Sequence, residues 1–153
     1  MRVTVRDLVD APMTTTTALD SDGTYAPPAD SASWYAVGEF YANQKPGAPG
    51  VSIIGGHISY NGEPGTFYNL TRAEPGDVIQ VTYDSGDLAE FAVTKVVAVR
   101  KIDATDITNA LGEEIWNPGA DGSVIRLITC DPATPFASGH YDGNLVVFGD
   151  RIN

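Results

Sequence analysis

The sequence of 153 residues has little cysteine, histidine or positive charge. Its 1 cysteine excludes an internal disulfide framework and any zinc site built on several thiolates. Its 9 Lys and Arg residues stand against 20 Asp and Glu residues, which gives a formal net charge of −11. Because this charge repels the phosphates of nucleic acids and anionic lipids, neither is an expected partner.

Long hydrophobic runs are also missing. No apolar stretch approaches the roughly 18 residues needed to cross a bilayer. The first residues, MRVTVRDLVDAPM, lack the long apolar core of a secretory signal. We therefore expect a protein that stays inside the cell, or one whose signal or membrane anchor is not part of this chain.

Short strands joined by tight turns dominate the predicted secondary structure. The sequence is 42% hydrophobic and contains 16 glycines and 10 prolines, a composition typical of a globular, turn-rich chain. The main predicted strands span residues 2–6, 14–19, 51–57, 123–130 and 144–152, with a hairpin at 77–101 and one helix at 104–117.

These elements amount to about eight strands and little helix. They predict an all-β fold, in which residues 1–153 form a single catalytic domain. A closed eight-stranded β-barrel with one or two short helices is favoured, because closure removes exposed strand edges. A β-sandwich is the alternative.

Cys130 and His57 are the residues best placed for chemistry. Cys130 ends a predicted strand directly before Asp-Pro, and His57 ends another directly after Gly-Gly. Two strand ends on one rim of a barrel would bring thiol and imidazole together, which is the minimum for thiol acyl transfer. His140 is the competing base, but it lies in a loop that fixes a side chain less well than a strand end.

Several stretches resemble one protein family in order and spacing. They read GGHISYNGEPGTFYNL, EPGDVIQVTYDSGDLAEFAV, LITCDPATPF and GHYDGNLVVFG. The sequence is similar over nearly its whole length to the sortases, most of all to the class F sortases of actinobacteria.

The resemblance implies the sortase β-barrel, with Cys130 as nucleophile and His57 as acid and base. Such an enzyme cleaves a Leu-Pro-any-Thr-Gly sorting signal between Thr and Gly through a thioester. It then transfers the acyl group to an amine of the cell wall or of a pilin, without metal or cofactor. We expect a monomer at the cell surface, on the extracellular face of a bacterial membrane.

One position departs from the family pattern. Sortases hold the substrate and its oxyanion with an arginine, which in class F patterns comes shortly after Gly-His-Tyr. Here that text reads GHYDGN, so Asp142 occupies the expected place, and residues 131–149 contain no Arg or Lys. Loss of an oxyanion donor typically costs on the order of a hundred- to thousand-fold in rate.

Three other side chains are candidate substitutes for the arginine. Asn144 begins the last strand and carries an amide that can donate to an oxyanion, although it also suits a turn. Arg126 shares strand parity with Cys130, but their Cα atoms lie roughly 13 Å apart along a strand. Arg151 has no predictable position relative to the rim.

One other function remains open from the sequence, and a further one is set aside. The missing arginine suggests a non-catalytic or weakly active module of the sortase fold that binds a peptide. An L,D-transpeptidase also uses Cys and His, but those enzymes carry Ser-His-Gly-Cys at the nucleophile, and LITCDP does not match it.

Overall fold

The computed structural model describes residues 1–119 and 121–153. Its strands are β1 (Arg2–Val5), β2 (Val9–Thr16), β3 (Ala32–Tyr35), β4 (Gly50–Gly55), β5 (Ser59–Tyr60), β6 (Glu63–Pro64), β7 (Val78–Thr82), β8 (Leu88–Arg100), β9 (Ser123–Cys130), β10 (Phe136–Ala137), β11 (His140–Tyr141) and β12 (Gly143–Arg151). Its helices are α1 (Gly38–Ala42), α2 (Lys101–Ala104) and α3 (Ala110–Trp116), with a 3₁₀ helix at Tyr68–Arg72.

Eight strands close into a barrel in the order β1-β2-β3-β4-β9-β12-β8-β7. The pairs β2–β3 and β4–β9 are parallel, whereas the other neighbours are antiparallel. Two small hairpins, β5–β6 and β10–β11, lie outside the barrel. The predicted closed eight-stranded barrel is therefore confirmed, and the β-sandwich alternative is wrong.

Side chains alternate between the inside and the outside of the barrel, and each face has its own hydrophobic cluster. The interior cluster includes Ile54, Phe91, Ile125, Leu127 and Val147. The outer cluster packs strands β8, β9 and β12 against α2 and α3, and it includes Val97, Val99, Ala104, Ile115, Ile128, Val146 and Phe148. By strand parity, Cys130 and Asn144 belong to this outer face, beside the two helices.

Only the later part of the helix predicted over residues 104–117 forms, as α3; α2 ends where the predicted range begins, and a turn lies between the two helices. In that turn the Asp106 carboxylate accepts hydrogen bonds from the backbone N–H and the hydroxyl of Thr108. The Asn109 side chain then caps α3 by accepting from the Gly112 N–H at 2.7 Å. These local bonds compete with helical ones and keep the turn out of a continuous helix. With α1 included, the described chain has three short α-helices rather than the one or two predicted.

None of the helices in residues 1–119 and 121–153 combines the length and the apolar character that crossing a bilayer requires.

Candidate active site

The parallel pair β4–β9 brings Cys130 and His57 to the same rim of the barrel. Gly55 pairs with Ile128, and the Gly56 N–H donates to the Ile128 carbonyl at 3.1 Å. Because the strands are parallel, both chains leave the sheet at one edge. His57 and Cys130 each follow the paired residues by the same number of positions, so they end level with each other.

A cavity of about 460 Å³ lies over this rim. Its lining includes the side chains of His57, Lys101, Cys130 and Asn144. The structure thus brings the predicted thiol, imidazole and amide to one cavity. Their roles in catalysis stay predictions.

The His57 ring is held by the loop between β2 and β3. Its Nε2 lies 2.6 Å from the Pro27 carbonyl oxygen. A carbonyl oxygen only accepts, so Nε2 carries a hydrogen and donates it in this conformation. The edge of Tyr60 packs against the same ring, with 5.3 Å between the ring centroids.

The two glycines before His57 allow close packing on the end of β4. A methyl group at Gly55 would lie 2.6 Å from Cε1 of Tyr25, and one at Gly56 would lie 2.7 Å from the Phe67 ring. The Phe67 N–H donates to the His57 carbonyl at 2.9 Å. The backbone that carries His57 is therefore enclosed from both sides.

Tyr25 ties the β2–β3 loop to the barrel. Its hydroxyl donates to the Ser33 carbonyl and accepts from the Gly55 N–H at 3.0 Å. Burial raises the pKa of Tyr25, so the side chain stays a neutral hydroxyl. Since Pro27 follows Tyr25 closely, this anchor also positions the carbonyl that holds His57.

Cys130 faces Asn144 directly across the β9–β12 pair. Both side chains are partly exposed, as is needed to meet a substrate. Directly opposed residues have Cβ atoms about 4.5–5.5 Å apart, so the amide lies beside the sulfur. Asn144 is thus the position on the last strand that faces the thiol.

The two carboxylates nearest in sequence are directed elsewhere. The Asp131 side chain accepts from the Ala133 N–H at 3.0 Å, within the β9–β10 turn. Asp142 is exposed, and its backbone N–H donates to the Pro135 carbonyl at 3.0 Å. Neither residue lines the cavity.

The structure does not bring Arg126 to the cavity. Its guanidinium is buried under α3, where Nη2 donates to the Glu114 carbonyl at 2.9 Å and the group stacks over Phe148 at 4.3 Å. Burial lowers the pKa of Arg126 to about 10, against the opposing effect of Glu114. Arg126 and Cys130 lie on the same face of β9, as predicted, but α3 covers that face at Arg126.

The remaining candidates also lie away from the cavity. His140 is exposed on the β10–β11 hairpin, and Arg151 donates to the Gly47 carbonyl. Neither lines the space around Cys130. Within the described ranges, no group of three His, Cys, Asp or Glu side chains is placed to hold a metal ion.

Lys101 is the cavity residue that the sequence reasoning missed. It follows β8 directly and lines the cavity with Cys130 and Asn144. Its position depends on the pairing of β8 with β12. The strand pattern of β8 gave no signal for it, because β8 ends at Arg100 and Lys101 begins α2.

The apolar side of the cavity is formed by Leu19, Pro27, Tyr35, Trp116 and Ile128. Tyr35 and Trp116 pack edge to face, with 5.4 Å between ring centroids. Two other large aromatic residues lie away from the cavity. Trp34 packs against the interior cluster, and Phe136 is 61% exposed on the β10–β11 hairpin.

Comparison with known proteins identifies the family. The family model described as "Sortase domain" matches residues 9–152. Sortase C-1 of Actinomyces oris has a similar structure, with a TM-score of 0.69, 22% identity, and coverage of 99% of this chain and 73% of that one. Sortase A of Listeria monocytogenes gives a TM-score of 0.66 and 20% identity, covering 99% and 86%. Direct comparison with curated protein sequences returned no match.

Proposed function

This chain belongs to the sortase family, and we propose on that basis that it is a cysteine transpeptidase of class F type from an actinobacterium. Its substrate is a Leu-Pro-any-Thr-Gly sorting signal, cut between Thr and Gly. The acyl acceptor is an amine of the cell wall or of a pilin. The observation that carries the proposal is the level placement of Cys130 and His57 over one cavity by the β4–β9 register.

The reaction needs two acyl transfers. The Cys130 thiolate attacks the Thr carbonyl carbon, a C–S bond forms, and the carbonyl electron pair moves to oxygen. The C=O bond then re-forms as the C–N bond breaks, and protonated His57 gives its proton to the departing glycine amine. His57 next takes a proton from the incoming amine, which attacks the thioester and releases the Cys130 thiolate.

Substrate selection follows from the apolar side of the cavity. Leu19, Tyr35 and Trp116 offer a wall that suits the Leu and Pro side chains of the signal. Such binding removes apolar surface from water, worth about 25 cal/mol per Å². The polar side of the cavity, which carries His57 and Cys130, then contacts the Thr-Gly peptide bond.

A cell-surface location belongs to the same proposal. Wall and pilin amines are met on the extracellular face of the bacterial membrane, so that is where we place the protein. We propose that it acts there as a monomer, because one chain provides the thiol, the imidazole and the cavity.

A second function is favoured by one observation: the residue opposite Cys130 is the neutral Asn144, and no arginine lines the cavity among the described residues. A neutral amide stabilises a thiolate less than a guanidinium does. In this second candidate, the protein binds the sorting signal without turning it over, or does so only slowly.

Incubation with a Leu-Pro-any-Thr-Gly peptide and hydroxylamine tests the proposal. We expect a Thr hydroxamate product that Cys130→Ala and His57→Asn do not form. The matched control is His140→Asn, whose exposed side chain lies outside the cavity and should leave the rate unchanged. If no variant of the signal gives a Cys130-dependent product while peptide binding persists, the binding module is the better description.

A further inference from the structure

Lys101 is a positively charged side chain in a cavity that is otherwise short of charge. Among the described lining residues, it is the one besides His57 that can carry a positive charge, and no Asp or Glu lines the cavity. The chain as a whole has a formal net charge of −11. The Lys101 ammonium is therefore the main source of positive charge in this cavity besides His57.

Strand pairing fixes where Lys101 stands. Val99 pairs with Asn144 on β12, and Asn144 pairs with Cys130 on β9, so these three form a row on the outer face. Lys101 lies two residues after Val99 and is the first residue of α2. Its backbone N–H donates to the Asp142 carbonyl at 3.0 Å, which fixes its backbone beside the place where the resemblance leads one to expect an arginine.

The neighbouring cation, Arg100, points the other way. Its side chain is 75% exposed and pairs with Asp103 at 2.8 Å. In the part of the chain that the structure describes, no carboxylate forms an ion pair with Lys101. The ammonium of Lys101 is therefore available to the cavity, whereas the guanidinium of Arg100 is engaged at the surface.

We propose that Lys101 supplies the positive charge of the acyl-transfer site, as an electrostatic partner of the Cys130 thiolate and of the oxyanion formed on the Thr carbonyl. This assignment rests on the proposed function. The Asn144 amide donates a neutral hydrogen bond from the adjacent strand, and Lys101 provides the charge that Asn144 lacks. The two side chains together occupy the role that one guanidinium would fill.

The chain's 1 cysteine allows a charge measurement at the site itself. Iodoacetate and iodoacetamide alkylate the same thiolate, but only iodoacetate is an anion. The ratio of the two rates therefore reports the local field and cancels the thiolate fraction. We expect Lys101→Met to lower the iodoacetate-to-iodoacetamide ratio about three- to tenfold, as Coulomb attraction over a few ångströms implies.

Arg100→Met is the matched control, since it removes an adjacent positive charge that lies outside the cavity. We expect it to leave the ratio within about 1.5-fold, because exposed charges are screened. Lys101→Arg should restore the ratio. Lys101→Gln serves as a second neutral variant, and a thermal melt of each variant confirms that it is folded.

Peptide cleavage provides the second readout. Lys101→Met should lower kcat about ten- to a hundredfold with KM changed little, because charge on an oxyanion acts in the transition state. An unchanged alkylation ratio, or an equal fall in Arg100→Met, would overturn the placement of the charge. A lowered ratio with unchanged kcat would overturn its role in transfer. A wild-type protein without Cys130-dependent product would refute the proposed function, and the ratio would still decide whether the ammonium faces the thiol.

Discussion

His57 is held by contacts from three separate segments, whereas Cys130 depends on the register of its own strand. The imidazole meets the Pro27 carbonyl and the Tyr60 ring, and its backbone carbonyl accepts from Phe67. Cys130 has Asn144 opposite it on β12 and lines the same cavity as Lys101. The histidine side is thus held by packing and hydrogen bonds, whereas the cysteine side is set by strand pairing. Substitutions on the histidine side should therefore lower stability together with cleavage, whereas substitutions on the cysteine side should change the reactivity of the thiol.

The largest effect is expected from Gly56→Ala on the histidine side. The new methyl group would lie 2.7 Å from the Phe67 ring, so strand β4 or the ring must shift. Overpacking of this kind costs about 1–3 kcal/mol in the free energy of unfolding. Displacement of His57 should lower peptide cleavage roughly a hundredfold, since misplacement by about 1 Å has that effect.

Gly122→Ala is the control for this change, because a methyl group there meets no atom within 4 Å. Denaturant unfolding and cleavage rates of both variants check the prediction. Equal stability and activity in Gly56→Ala and Gly122→Ala would show that packing on β4 does not fix His57.

A smaller effect is expected from Tyr25→Phe, which keeps the ring but removes its hydroxyl. The Ser33 carbonyl and the Gly55 N–H each lose their bond to Tyr25. Unsatisfied buried groups cost about 1–3 kcal/mol. Because the loop carrying Pro27 loosens, cleavage should fall about tenfold, measured as kcat at saturating peptide.

Tyr68→Phe provides the comparison, since Tyr68 is 52% exposed and lies outside the cavity. It should match the wild type in both the melt and the cleavage assay. If Tyr25→Phe also matched the wild type, the β2–β3 loop would have no part in positioning the imidazole.

On the cysteine side, Asn144→Asp should change reactivity rather than stability. A carboxylate directly opposite Cys130 disfavours the thiolate. Alkylation by iodoacetamide at neutral pH should slow about three- to tenfold, which corresponds to one like charge at short range in a partly solvated site. Asn144→Ala separates the loss of the amide from the gain of charge, and it should slow the reaction less. Equal rates in the two variants would place residue 144 out of electrostatic reach of the sulfur.

The smallest effect is expected from Arg126→Met, far from both sides of the cavity. The buried guanidinium loses its bonds to the Glu114 carbonyl, but the cost of burying a charge disappears with it. These terms offset, so the free energy of unfolding should change by less than about 1 kcal/mol. The value of kcat/KM should stay within twofold. A large fall in kcat/KM in an Arg126→Met variant with wild-type thermal stability would show that Arg126 contributes to catalysis.

The sequence predicted the barrel and the rim because both depend on local patterns. Alternating strands and turn residues indicated a closed sheet, and the ends of VSIIGGH and LITC indicated where His57 and Cys130 leave it. The predicted hairpin at residues 77–101 corresponds to β7 and β8. These are features that a chain segment carries by itself.

Other features depend on which segments pack over a strand. The sequence pattern of the strand itself does not contain that information. Arg126 and Cys130 share a face as their parity predicted, yet α3 covers one and leaves the other open to the cavity. The helix predicted at 104–117 starts only at Ala110, because Asp106 and Thr108 bond to each other in the turn before it. The sequence did not predict the position of Lys101, because its place beside β12 depends on the pairing of strands that are distant in sequence.

The pairing of Gly55 with Ile128 has a further consequence for the order of events in folding. The thiol and the imidazole are far apart along the chain, and they become neighbours only when β4 and β9 join. Long-range pairings of this kind form late and slowly compared with local hairpins. A partly folded chain therefore holds a thiol without its imidazole. The thiol and the imidazole come together only when the barrel closes. The time course of Cys130-dependent cleavage during refolding would therefore report the rate of barrel closure.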